Sequence, residues 1–149
     1  MYKFKTKPFE HQKDALKRCW NKKAFAIFAE MGTGKTKIAL DNACILYNKG
    51  RIDRLLVVAP KGTYMNWVDS EIPVHVPDYI EKEVLAWKPN LTEKYKLQLK
   101  QIRDVNNFKF KIFIMNVEAL STKKGVDAAR LFLIGKSMMI IDESTTIKN

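Results

Sequence analysis

Apolar residues in this chain gather into short unbroken runs, neither strictly alternating nor long. Ala24-Phe-Ala-Ile-Phe-Ala29 leads into a glycine-rich turn, and Leu55 to Ala59 is stopped by Pro60. Runs of strand length that are apolar at every position suit strands covered on both faces, as in a parallel sheet between helix layers. Lys111 to Met115 and Ser137 to Ile141 read the same way, and Glu83 to Trp87 is a weaker strand. Between these runs the period lengthens. Ile38, Ala39, Asn42, Ile45 and Leu46 fall near helical spacing in a stretch from Lys35 to about Asn48, with Gly50 where a C-terminal cap belongs. Thr63 to Ile72 predicts a helix that ends at Pro73. Asn90 with Glu93 forms a capping-box pattern for a helix to about Val105, with Tyr95, Leu99 and Ile102 on one face. Val117–Leu120 and Asp127–Ile134 are further helical segments. This order predicts an α/β fold, a mainly parallel sheet with helices on both faces.

Composition narrows the class. The chain has 149 residues, the size of one domain, and 46% apolar with 29% charged residues excludes disorder. Lys and Arg number 27 against 16 acids, a net charge of +11 that favours a polyanionic partner. The excess is unevenly placed: residues 1–23 and 88–124 each carry +6, while 24–87 sum to −1 and 125–149 to zero. Cys19 and Cys44 form no metal-binding or disulfide pattern, and His11 and His75 have no partner constellation. No apolar run approaches the ~18 residues of a membrane span. The basic start, MYKFKTKPFE, lacks the apolar segment of a signal peptide. The expectation is a cytoplasmic domain with no membrane partner.

The chemistry concentrates after the first strand. Ala29-Glu-Met-Gly-Thr-Gly-Lys-Thr36 has the spacing of a phosphate-binding P-loop, with Ala29 in place of the first glycine. Met31, Gly32, Thr33 and Gly34 supply backbone N–H groups that converge on an anion, the two glycines taking angles closed to other residues. The helix beginning near Lys35 adds its positive end. Lys35 brings a charge to the β and γ phosphates, and the Thr36 hydroxyl completes a Mg²⁺ shell. ATP with Mg²⁺ is the expected cofactor.

A P-loop requires a second carboxylate from a neighbouring strand. Met138-Met-Ile-Ile-Asp142-Glu143 places two acids at the carboxyl end of an apolar run, where open α/β sheets bind ligands. Asp142 is assigned to the Mg²⁺ shell, and Glu143 to orienting and deprotonating the attacking water. Lys35 and Glu143 are thus the catalytic candidates. Met138 and Met139 read as core packing, as do Trp20 and Trp67.

These segments together give a family resemblance. Lys7-Pro-Phe-Glu-His-Gln12 resembles the Q motif of superfamily two helicases. Leu56-Val-Val-Ala-Pro60 followed by Asn66-Trp67 and Glu71 resembles motif Ia of Swi/Snf-like DNA translocases. Ile112 to Leu120 stands where motif Ib belongs, and Asp142-Glu-Ser-Thr-Thr-Ile-Lys-Asn149 is similar to that family's motif II. The resemblance implies the first RecA-like ATPase lobe of a compact phage or bacterial motor. It also implies that Gln12 reads the adenine edge and that Lys61, Gly62 and Asn116 contact DNA phosphates. Two positions depart from the pattern: Thr145 replaces the usual histidine, and Asn116-Val117 replaces the Thr-Tyr of motif Ib.

The chain ends seven positions after Asp142. The expectation is therefore a single ATP-binding lobe, incomplete at its C-terminus and weak as an ATPase, whose second RecA-like lobe lies in a missing part or in another chain. Lys96, Lys100 and Arg103 make a helical stripe that is either a solvated face or a DNA-backbone contact. The leading function is ATP-driven movement on nucleic acid, most readily double-stranded DNA. The alternatives are a strand-separating or restriction-type motor subunit, and a nucleotide-gated adaptor without motor output. A small-molecule kinase is disfavoured, since the lid arginines it needs have no place after the acidic strand.

Overall fold

The computed structural model describes residues 24–29 and 35–142, with side chains from 36 to 142. Strand β1 (Ala24–Ala29) is followed by helix α1 (Lys35–Asn48) and strand β2 (Arg54–Ala59). Helix α2 comes next, α-helical at Tyr64–Asn66 and Ile72–His75 around a π-helical turn at Trp67–Glu71. Then follow β3 (Lys82–Ala86), α3 (Glu93–Ile102), β4 (Phe110–Asn116), a 3₁₀ turn (Val117–Ser121), α4 (Lys123–Phe132) and β5 (Ser137–Asp142).

The five strands form one parallel sheet in the order β1-β5-β2-β4-β3. This is the α/β architecture expected of a RecA-like lobe. Period-2 side chains divide the interior into two cores. Leu55, Val57, Ile112, Ile114, Met138 and Ile140 point to the α1 and α2 face, while Leu56, Val58, Phe113, Met115, Met139 and Ile141 point to the α3 and α4 face. Crossovers that run one way across the sheet carry α1 and α2; those that return carry α3 and α4, as right-handed connections require.

The amino ends of three adjacent strands form a buried polar row, with Arg54 in register with Lys111 and Ser137. Each is satisfied: Arg54 donates to Asp53 and to the Phe132 carbonyl, Lys111 to the Asn107 carbonyl at 2.7 Å, and Ser137 to the Leu133 carbonyl. Burial pushes the Lys111 ammonium down from its ordinary pKa, and the Asp53 carboxylate opposes that shift.

Several expected boundaries move for local reasons. The α2 helix passes Pro73 and runs to His75. The Ile72 N–H bonds five residues back to Trp67, and the α ladder resumes with Val76 to Ile72, so the missing proline donor falls at the changeover. The cap of α3 is Thr92 rather than Asn90; its hydroxyl accepts from the Tyr95 N–H at 3.2 Å, and the helix stops at Ile102 instead of Val105. Helix α4 begins at Lys123, four residues early, because the Thr122 hydroxyl caps the Gly125 N–H. Val117–Ser121 is 3₁₀ rather than α. On α1 the sheet-facing stripe is Thr36, Ala39, Leu40, Ala43 and Cys44, while Ile38 and Ile45 are exposed. Small side chains let that helix lie close to the sheet. The α1 end is as expected: Gly50 has φ +72°, its N–H bonds Tyr47 and the next N–H bonds Leu46, a Schellman cap.

Candidate functional site

Register places the chemistry along the carboxyl edge of the sheet. Ala29, the last residue of β1, lies opposite Asp142 of β5. Val58 pairs with Ile141, so Ala59 neighbours Asp142 on the other side, and Ala59 in turn pairs with Asn116. Adjacent strands are ~4.8 Å apart. The start of the P-loop sequence, Asp142, Pro60-Lys61 and Asn116 therefore stand side by side in that order.

Thr36 sits in the first turn of α1, on the stripe that faces the sheet. It is 4% exposed, and its buried hydroxyl has no hydrogen-bond partner among the described residues. An orphaned hydroxyl of this kind costs about 1–3 kcal/mol unless something fills its valence. Asp142 is fully buried, and its Oδ2 accepts from the Trp67 indole Nε1–H at 3.2 Å. A hydroxyl and a carboxylate are the hard oxygen donors that Mg²⁺ prefers, so the residues present fit that ion.

Past the ends of β2 and β4, the next strands along from Asp142, lies a cavity of about 490 Å³ lined by residues including Lys61, Tyr64, Trp87, Asn116, Lys123 and Lys124. Three lysines against one acid, Glu118, give it a positive balance. The Asn116 amide donates to Glu118 at 3.4 Å, and the Tyr64 hydroxyl donates to the Trp87 carbonyl at 3.3 Å. The Thr122 hydroxyl accepts the Gly125 N–H and donates to the Ala119 carbonyl at 2.7 Å, tying the 3₁₀ turn to the start of α4. That junction presents Lys123 and Lys124 to the cavity.

Of the site residues expected from sequence, Thr36 and Asp142 lie at the ends of neighbouring elements, and Lys61 and Asn116 line one cavity. Gly62 is not among the residues lining it, nor are Lys96, Lys100 and Arg103. Lys96 and Lys100 are on α3, where Lys96 pairs with Glu93 at 3.5 Å; Arg103 is one residue past the helix. Gln12, Met31, Gly32, Thr33, Gly34, Glu143 and Thr145, together with His11 and Trp20, lie outside the described residues, as does the side chain of Lys35. Trp67 is a buried core residue as expected, and His75 faces Glu71 at 3.5 Å.

Sequence reasoning missed three contributors. The Trp67 contact joins residues 75 positions apart, which no local pattern announces. Lys123 and Lys124 were hidden because their segment fell between the two expected helices, although paired lysines just after the Asn116 segment were a visible cue.

The sequence model of the family described as type III restriction enzyme, res subunit, matches residues 5–145. No curated protein matches the chain.

Proposed function

The chain belongs to the type III restriction enzyme res-subunit family, an ATPase domain of the helicase superfamily two type, and from that premise we propose that it is the first ATP-binding lobe of a motor moving on double-stranded DNA. The observation that carries this reading is the order along one sheet edge. A buried hydroxyl without a hydrogen-bond partner among the described residues, a buried carboxylate and a lysine-lined cavity follow one another across four adjacent strands.

In this reading Met31 to Gly34 cradle the phosphates with backbone N–H groups, and Lys35 holds the β and γ oxygens. Thr36 and Asp142 would hold Mg²⁺, and Gln12 the adenine edge. Bound Mg–ATP supplies the phosphoanhydride whose cleavage drives the motor. Glu143 orients water and takes its proton. A second RecA-like lobe would close the cleft and bring an arginine worth ~10³–10⁵ in turnover. The Swi/Snf-like pattern around Asn66-Trp67 and the Asp142 motif favours translocation on duplex DNA over strand separation. Lys61, Lys123, Lys124 and Asn116 would track one phosphate backbone.

Duplex-DNA affinity measured against salt tests the nucleic-acid half of the reading. Each phosphate contact adds about 0.9 to the slope of log affinity on log salt. Replacing Lys61, Lys123 and Lys124 with Gln is expected to flatten it by ~2–3. An unchanged slope would remove the cavity from the DNA path. Binding that ignores ATP would favour an adaptor without motor output.

A further inference from the structure

We infer that Trp67 is a positioning residue for Asp142, its indole N–H fixing the carboxylate in the orientation that the metal shell requires; this rests on the proposed Mg²⁺ role of Asp142. The carboxylate stands at the end of β5, where its Oδ2 accepts from the buried indole N–H. The Trp67 indole belongs to the core on the α1 face and is itself fully buried, so its donor is held still. The chemistry of the donor matters as well. An indole N–H donates, never accepts and carries no charge, so it orients Asp142 without neutralising it. A lysine or arginine in that place would compete with the cation for the same charge.

The helix is built to deliver this contact. Five residues of an α-helix advance about 500°, which would set Trp67 and Ile72 about 140° apart around the axis. Both are nevertheless buried against the sheet, and so is Val76. The π-helical turn at Trp67–Glu71 supplies the extra residue that brings them to one side. Such turns are rare in helices and gather at functional sites. Here the turn lets α2 keep its apolar face on the sheet while Trp67 reaches Asp142 at the sheet's edge.

The test uses the whole chain with ¹⁵N-labelled tryptophan, the Trp67 indole resonance being identified as the one kept in both Trp20→Phe and Trp87→Phe. Addition of Mg²⁺ and ATP should shift that resonance, and Asp142→Asn should shift it without metal. Trp67→Phe should keep nucleotide affinity measured in chelator but weaken Mn²⁺ affinity in the nucleotide complex roughly tenfold, as loss of a ligand-orienting partner does. Phe132→Leu, a buried ring on the other sheet face, is the packing control and should leave Mn²⁺ affinity unchanged. Wild-type Mn²⁺ affinity in Trp67→Phe overturns the positioning role. If that variant does not fold, a Trp67 resonance unmoved by Mg²⁺ and ATP in the unaltered chain overturns it instead. No nucleotide binding by the unaltered chain would sink the ATP reading itself, which is a separate outcome.

Discussion

Replacing Gly125 with Ala should destabilise the chain, against the usual rule for helices. Alanine is the better helix former by about 1 kcal/mol, and Gly125 lies inside α4. A Cβ at this position, however, would stand 2.0 Å from the Ala119 carbonyl oxygen, 2.7 Å from its carbon and 3.0 Å from the Thr122 hydroxyl. Two of those atoms are backbone, held in the 3₁₀ turn by the bond from Thr122 to Ala119, so no side chain can swing away. Overpacking typically costs 1–3 kcal/mol, and contact with fixed backbone belongs near ~3. Subtracting the propensity gain leaves a net loss of about 2 kcal/mol. For a chain of this size that lowers Tm by about 4–8 °C. Thermal and urea unfolding of the variant beside the unaltered chain measure it. A variant as stable as the parent, or more so, would refute the close approach of α4 to the 3₁₀ turn, and with it the placement of Lys123 and Lys124.

Two further predictions concern the pH dependence of stability. Burial pushes the Tyr95 phenol up to about 12 from 10.0, while its hydroxyl donates to the Ala86 carbonyl at 2.6 Å and accepts from the Lys88 N–H at 3.0 Å. A raised folded pKa gives stability that is present below pH 10 and lost as pH climbs towards 12. Tyr95→Phe should therefore cost about 1–3 kcal/mol at neutral pH and abolish that alkaline decline in urea midpoints; a decline of parental size would contradict the assignment. Lys111 has the opposite sign. Its folded pKa is depressed by burial, so the unfolded chain binds the extra proton and stability rises with pH below 10.5. Lys111→Met should flatten that rise in the alkaline range below pH 10.5, and equal slopes in the two proteins would contradict it.

The strands were legible because burial on both faces writes an uninterrupted apolar run, and β2, β4 and β5 came within a residue of their observed ends. Gly50 announced the end of α1 because its positive φ has few other tenants. Local chemistry misled where two signals competed. Asn90 and Thr92 both suit a cap, and the one whose hydroxyl meets the Tyr95 N–H prevails. Gly125 and two lysines fall before the expected helix start at Asp127, yet they open α4, where the close approach to Ala119 demands glycine. On α1 the spacing selected Ile38 and Ile45 beside Ala39, but the sheet takes Ala39, Leu40, Ala43 and Cys44 and leaves both isoleucines exposed. The P-loop and acidic motifs were readable one at a time. Their adjacency depends on β5 inserting between β1 and β2, a pairing of residues more than a hundred positions apart that no window of sequence contains.

The central claim, that this lobe binds Mg–ATP through the loop after β1, is tested most directly by calorimetric titration of the chain with Mg–ATP beside its Lys35→Ala variant. Saturable one-to-one binding by the unaltered chain is expected, with a loss of at least ~2 kcal/mol, about thirtyfold in affinity, in the variant. Equal affinity in the two proteins, or no binding by either, would contradict it.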